Sequence, residues 1–322
     1  MSGDPTVSLI MPVYGGQELV GDAIESVLAQ TFESWELVVI NDGSPDDSEA
    51  VIEEYLPHDR IRYFSQENQG VTETINRGIR YADGEYLTVH PQDDLSYPDR
   101  LERQVAVLER EPDVGFVYSP AQFVDLSGEE GRVWGDWRGE GRIRGADVFH
   151  ELYVNGMFIA SPSVVFRRDH ITDENEPWGD PELQVVSDWE HWMHAAQQYD
   201  AYELATPAVK MTRDEDHTNL TNRRETVFAE ERVILKRLRE RYADGDPPVT
   251  RRTYARAMSN YHLRKLRHYL YERRAFAAGV RSGLRAFGAD PSNPELYSEA
   301  WEIATSFVRS DASEPRPAVR NP

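Results

Sequence analysis

Between Val7 and Val89, four short apolar runs each give way to a helix-length segment. That alternation limits the possible folds more than any other feature of the chain. The runs are VSLI (7–10), WELVVI (35–40), IRYF (61–64) and YLTV (86–89). They are uninterrupted rather than alternating, as in strands covered on both faces. Between them lie LVGDAIESVLAQ, with Leu19, Ala23, Val27 and Leu28 at helical spacing, a pattern from Asp47 to Tyr55 with Asp46 or Asp47 as cap, and VTETINRGIRYA. Strand and helix in regular succession predict a parallel, doubly wound α/β sheet.

Every one of these strands ends in polar or small residues: Pro12 and Tyr14, Asn41 and Asp42, Asn68, then Asp93 and Asp94. Open α/β sheets bind ligands outside the carboxyl ends of their strands, so these residues are site candidates. Asp93 and Asp94 follow YLTV and precede Pro98, where the helical pattern PDRLERQVAVLER begins. Two carboxylates this close repel unless something positive lies between them. A divalent cation carrying a phosphorylated ligand would serve; a turn followed by a helix cap uses the same residues equally well. The first strand-to-helix turn, PVYGGQE, lacks the spaced glycines of a dinucleotide fold, and no GxxxxGK[ST] run occurs.

Composition narrows the field further. The 322 residues, 39% hydrophobic, suffice for one large or two moderate cores. There is no cysteine, which excludes disulfides, thiolate metal sites and a cysteine nucleophile. The formal charge of −22 argues against nucleic acid as a partner. Only Lys210, Lys236 and Lys265 among 35 basic residues are lysine. Acid excess with scarce lysine suits a salt-saturated cytoplasm, where screening relieves self-repulsion; an arginine-rich codon bias gives the same composition. No apolar run approaches the roughly 20 residues of a membrane span. MSGDPTVSLIMPVY has no basic segment before its apolar run, so a cytoplasmic protein is expected.

Five segments in order carry a resemblance: VSLIMPVYGGQELVGDAIESVLAQTF, WELVVINDGSPDDS, ENQGVTETINRGI, ADGEYL and QDDLSYPDRLE. Residues 7 to about 104 resemble the N-terminal half of family 2 glycosyltransferases, which have the GT-A fold and use nucleotide-sugar donors. The resemblance implies that Pro12, Val13 and Tyr14 line the base pocket. It implies that Asp42 accepts a hydrogen bond from the base, usually uracil, and that Asn68 lies on the same nucleotide-sugar edge. Asp93 takes the place of the metal-binding Asp of the family's DxD element, supported by Asp94, with Mg²⁺ or Mn²⁺ as the ion. One position departs from the pattern, since Pro91 stands where the family often has an Asp that contacts ribose.

The remaining candidates fall further along the chain. The sheet is expected to continue through GFVYSPAQFVD. Gly128 to Gly145 shows no periodicity and reads as a long loop, either an insertion or a lid with Trp134 or Trp137 on a sugar. YVNGMFIASPSVVFRR resembles the acceptor side of the family cleft, with Asn155 and Ser161 as sugar-binding or plain turn residues. VSDWEHWMHA reads as a helix opening at Ser187 or Asp188, with Trp189, Trp192 and Met193 on its apolar face. It resembles the family's element bearing the catalytic base, which falls on Asp188, with Ser187 in a position usually held by Glu; an N-cap role for Asp188 competes. Glu190 and His191 are weaker candidates. In KMTRDEDHTNLTN, Arg213 and His217 match a basic residue and a His that many members carry; the resemblance allows His217 to complete a metal site, or either side chain to meet the diphosphate, and a plain surface-loop His fits His217 equally well.

From Arg223 to about Arg309 the pattern is helical throughout, broken at ADGDPPV. The expected organisation is a GT-A domain over residues 1–222, split near 115 into nucleotide and acceptor halves, a helical region over 223–310 and a polar tail. Arg264, Lys265, Arg267, Arg273 and Arg274 form the one basic concentration, which allows a peripheral contact with anionic lipid headgroups. The reading is an inverting glycosyltransferase acting on a glycan or lipid-linked acceptor. A nucleotidyltransferase and a non-catalytic sugar-nucleotide-binding domain remain alternatives, the latter favoured by Pro91 and Ser187.

Overall fold

The computed structural model describes residues 4–135, 138–170, 178–213, 223–245 and 247–309. Its α-carbon contacts divide the chain into two units, one of residues Met1–Phe149 and Phe158–Thr226, the other of His150–Met157 and Val227–Pro322.

The first unit is built on an eight-stranded mixed sheet in the order β3-β2-β1-β4-β10-β6-β11-β9. The four apolar runs form β1 (Val7–Val13), β2 (Trp35–Asn41), β3 (Ile61–Ser65) and β4 (Tyr86–Val89), all parallel. Helices α1 (Val20–Leu28), α2 (Ser48–Glu53) and α3 (Val71–Tyr81) connect them. β2 is buried along its whole length, which is why it reads as continuous apolar sequence. Val7, Leu9, Met11, Leu37 and Val39 form one cluster with Val20, Ala23, Ile24 and Val27 of α1. Each such side chain contributes roughly 1.5–3 kcal/mol by leaving water. Asp47 occupies the N-cap position of α2 without a side-chain cap, and it is Asp46 that accepts the Ser48 amide, at 3.2 Å.

Beyond β4 the topology changes. α4 (Arg100–Arg110) leads to β6 (Val114–Tyr118), β10 (Val165–Arg167) inserts antiparallel between β4 and β6, and β11 (Asp200–Glu203) pairs parallel with β6 on its other side. The run GFVYSPAQFVD is two strands rather than one. It bends at Ser119-Pro120, and β7 (Ala121–Val124) joins a second sheet ordered β5-β12-β7-β8. The long loop expected over Gly128–Gly145 contains β8 (Glu130–Trp134) and β9 (Gly141–Ile143), each an edge strand. Edge strands with exposed polar side chains carry no apolar run, so periodicity does not reveal them. The second sheet also holds β5 (Leu95–Ser96) and β12 (Val209–Thr212), paired antiparallel.

The second unit is helical: α7 (Arg224–Arg241, entering this unit at Val227), α8 (Arg251–Arg267), a π-turn at His268–Glu272, α9 (Phe276–Ala289) and α10 (Pro294–Arg309). The end of α5 (Gly145–Asn155) belongs to it as well, because Tyr153 donates to the Leu235 carbonyl at 2.8 Å and Asn260 donates to the Val154 carbonyl at 3.0 Å. No helix among the described residues is long and apolar enough to cross a membrane.

Candidate active site

The strand order fixes where a site can form. From β1 the chain steps outward through β2 to β3, then returns to the other side of β1 for β4. The carboxyl ends of β1 and β4 therefore flank the point where the winding reverses, the place at which such sheets open a crevice. β1 delivers Pro12 and Val13 there, with Tyr14 just beyond; the turn after β4 delivers Asp93 and Asp94.

Gln92 ties the two ends together. Its Oε1 accepts the Tyr14 amide at 2.8 Å, and its Nε2 donates to the Tyr14 carbonyl at 3.1 Å. Gly16 leaves room for this clamp, since a Cβ there would push the Gln92 amide out of its place. Tyr14 is left 53% exposed, a large aromatic ring presented at the sheet edge, whereas Val13 is 1% exposed and belongs to the core. Of the three residues assigned to a base pocket, Tyr14 and in part Pro12 offer surface.

Asp42, just past β2, is almost fully buried. Its Oδ1 accepts from Gln66 Nε2 at 2.7 Å and from the Gln69 amide at 2.8 Å, while Oδ2 accepts the Gly70 amide at 2.9 Å. A carboxylate has about four acceptor positions, so Asp42 holds the loop after β3 in place and keeps little capacity for a ligand. Asn68 is on that loop and exposed.

Asp94 is buried and half-buried Asp93 precedes it. Burial and the neighbouring Asp93 charge hold the Asp94 carboxyl well above the usual carboxylate range, against the opposing pull of the Thr212 amide and Arg100. The Thr212 amide reaches Asp94 Oδ1 at 3.1 Å, which links β12 to the acidic turn. Arg100 lies fully buried in contact with Ser96 Oγ at 2.9 Å, Gln104 Oε1 at 3.1 Å and Thr88 Oγ1 at 2.5 Å. Burial pushes its guanidinium down to about 9, so it stays charged at neutral pH. His90 is also fully buried, and burial together with the Arg100 charge pushes its imidazole down to about 3. Two adjacent carboxylates, one of them buried, repel each other at close range, and a divalent cation between them fits such a pair. No cluster of three or more metal-ligating side chains occurs among the described residues.

Asp188 is the second residue of α6 (Ser187–Ala196), and the N-cap position is Val186, without a side-chain cap. The competing reading of Asp188 as N-cap is therefore set aside. Its Oδ2 accepts a 2.6 Å hydrogen bond from Ser161 Oγ, which itself accepts the buried Trp192 indole N–H at 2.8 Å. The start of α6 is anchored on α3: Thr72 Oγ1 donates to the Leu183 carbonyl at 2.6 Å and lies within hydrogen-bond distance of Ser187 Oγ at 3.1 Å. Ser187, in the position where the family usually has Glu, is buried in that anchor. The 3₁₀ turn Ser161–Ser163 packs against both β4 and β12, the two strands that carry and brace the acidic turn. Asp188, through Ser161, thus approaches the same end of the sheet as Asp94.

The other candidates separate. Arg213 stacks its guanidinium 4.0 Å from the Phe123 ring, one residue beyond β12. Trp134 stacks on the same Phe123 ring, with centroids 6.2 Å apart. Asn155 belongs to the helical unit, where it accepts from Asn260 at 2.8 Å. His191 packs on Trp178 at 4.4 Å, and Glu190 is buried. His217 and Trp137 lie outside the described residues. Gln92, Arg100, Thr212 and Trp192 were not marked by any motif as site residues. Gln92 adjoins the acidic pair, but nothing local ties it to Tyr14, 78 positions away.

A mixed α/β sheet whose winding reverses at β1, with an acidic turn at the reversal point, is the GT-A arrangement. The chain belongs to glycosyl transferase family 2, whose profile matches residues 8–173. An uncharacterised glycosyltransferase of Rickettsia typhi, RT0329, is 33% identical over 193 residues, 58% of each chain. The putative glycosyltransferase EpsE of Bacillus subtilis is 36% identical over 113 residues, 34% of this chain and 41% of that one. The chain thus spans less than two thirds of these relatives. Among solved structures, residues 1–349 of S. aureus TarS in complex with UDP-GlcNAc align with TM-score 0.59 at 15% identity, covering 88% of this chain and 91% of that one. The mannosyltransferase PcManGT from Pyrobaculum calidifontis, in complex with GDP-Man and Mn²⁺, aligns with TM-score 0.60 at 17% identity, covering 97% and 82%. Both likenesses are of fold.

Proposed function

We propose that the chain transfers one sugar from a nucleotide sugar, with UDP as the expected nucleotide, to a glycan or lipid-linked acceptor, with inversion. The reading is carried by one arrangement: Asp188, held by Ser161, approaches the sheet end that carries Asp93 and Asp94. Tyr14 and Pro12 would face the base, Asn68 the same nucleotide edge and Arg213 the diphosphate, while Asp42, expected to accept from the base, would instead shape this edge by holding the Gln66–Gly70 loop. Asp93 and Asp94, with His217 as a third candidate, would hold Mg²⁺ or Mn²⁺. When bound, the ion neutralises charge on the leaving diphosphate. Asp188 takes the proton from the acceptor hydroxyl as that oxygen attacks the anomeric carbon. Ser161 keeps the Asp188 carboxylate aimed, and Trp192 fixes the Ser161 hydroxyl so that it donates towards Asp188.

The test is Asp188→Asn. Transfer should fall by at least about 10²-fold, the lower bound for a lost general base, with UDP binding by calorimetry unchanged. Equal loss of binding and transfer would make Asp188 structural. UDP binding without transfer in the wild type, across a panel of UDP- and GDP-sugars, would favour a non-catalytic binding domain. We further read the protein as cytoplasmic and halophilic, on its charge of −22 and scarce lysine.

A further inference from the structure

Helix α9 is mounted with its small face inward. Gly279, Ser282 and Ala286 are its buried residues, and a Cβ on Gly279 would come within 2.6 Å of Leu270 Cδ2. Its bulky residues point the other way: Phe276 is 62% exposed, Val280 41%, Leu284 68% and Phe287 54%. At 3.6 residues per turn these four fall on one stripe. A helix amphipathic in this sense leaves much of its large apolar side-chain surface outside the unit's core.

The charges around the stripe are unlike those of the rest of the chain. From Arg264 to Arg285 there are seven basic residues and one acid, Glu272, in a protein whose net charge is −22. Arg264 and Arg267 are engaged with Glu231 and Glu299, and Glu272 with His268. Arg273, Arg274, Arg281 and Arg285 are exposed, and none forms an ion pair among the described residues. α9 itself carries no acid between Phe276 and Ala289, only Arg281 and Arg285 on the flank of the stripe.

We propose that α9 docks the protein on a phospholipid bilayer bearing anionic headgroups, with the Phe276–Phe287 stripe entering the headgroup boundary and the arginines facing phosphate. An apolar stripe bordered by arginine is the pattern of a helix lying in the interface plane. The footprint argues against a second copy of the chain. It is about 17 Å long and about 10 Å wide by helix geometry, far short of the roughly 800 Å² per partner of a stable interface. The chain's overall negative charge does not oppose docking, because charges beyond about 10 Å are screened at ordinary ionic strength. α10 adds Tyr297 and Trp301, 62% and 72% exposed, residue types enriched at membrane–water interfaces.

The experiment is flotation of the full chain with vesicles of phosphatidylcholine, alone or mixed with phosphatidylglycerol, in buffer that holds the fold. The wild type should float with the mixed vesicles and roughly tenfold less with phosphatidylcholine alone. Leu284→Ser with Phe287→Ser, both exposed and so without cost to the fold, should lower partition at least about tenfold. Arg281→Ser with Arg285→Ser should remove the preference for phosphatidylglycerol. Wild-type protein that stays at the bottom of the gradient, or a double serine variant that floats like the wild type, overturns the proposal. A dimer by light scattering that the same variants convert to monomer reassigns the face to self-association.

Discussion

Ser161 Oγ stands 2.6 Å from Asp188 Oδ2, across 27 positions of sequence. The same oxygen receives the Trp192 indole N–H at 2.8 Å, so the serine hydrogen can point only at the carboxylate. Asp188 is therefore oriented by a neutral relay that begins in the aromatic core, where Trp192 lies 5.6 Å from Phe116 and 5.5 Å from Phe166.

Ser161→Ala breaks this relay at its middle. Turnover should fall about tenfold with the donor KM unchanged, because orientation of the base is lost while the nucleotide edge is intact. Stability should drop by about 1–3 kcal/mol, since the buried Trp192 N–H loses its acceptor. Ser161→Thr keeps the hydroxyl and should recover most of the activity. A threonine variant as slow as the alanine variant would show that shape, not the hydrogen bond, matters here.

Asp94→Asn keeps an oxygen for the Thr212 amide and removes the buried charge. The apoprotein should be as stable as the wild type or more so, because a carboxyl held above its usual range loses stability on ionising. Mn²⁺ should raise the melting temperature of the wild type, in line with the roughly 2.7 kcal/mol expected at one hundred times Kd, and should leave the variant nearly unmoved. An equal Mn²⁺ shift in both proteins rules Asp94 out as a ligand.

His90 gives a pH dependence of definite sign. Its folded imidazole is pushed down to about 3 from 6.5, so it is neutral in the fold and charged in the unfolded chain over that window. A depressed pKa contributes stability that is complete above about 6.5 and is lost as pH falls towards 3. His262, pushed down to about 4 by burial and nearby arginines, acts in the same direction. Asp94 acts oppositely in the same range, so the comparison must isolate His90. Between pH 7 and 5 the His90 contribution is about 2 kcal/mol. His90→Gln should flatten the urea-midpoint profile by that amount; parallel profiles for variant and wild type would exclude it.

Salt dependence follows from the surface. If −22 charges in a compact chain are tolerated because they are screened, the melting temperature should climb steeply between 0.1 M and molar KCl. A melting temperature flat across that range would leave codon bias as the account of the arginine excess.

The sequence alone determined the parallel half of the sheet. β1 to β4 are buried on both faces, and burial on both faces forces the uninterrupted apolar runs by which they are recognised. It also marked the acidic turn, because carboxylates at a strand end are a local feature, whereas Asp188, which fits a helix cap when read alone, was singled out only by the resemblance of its segment to the family. It did not determine β8 and β9, whose exposed edges need no apolar pattern, nor the transfer of His150–Met157 to the helical unit. Tertiary structure alone decided that Asp42 spends its acceptors on the loop at Gln66–Gly70, that Gln92 clamps Tyr14, and that Ser161 joins Trp192 to Asp188. Each of these is a pairing across tens of residues between groups that, read singly, fit a turn or a cap as readily as a site. A hydrogen bond needs its partner within about 3 Å, and only the packing of the sheet against α3 and α6 brings those partners that close.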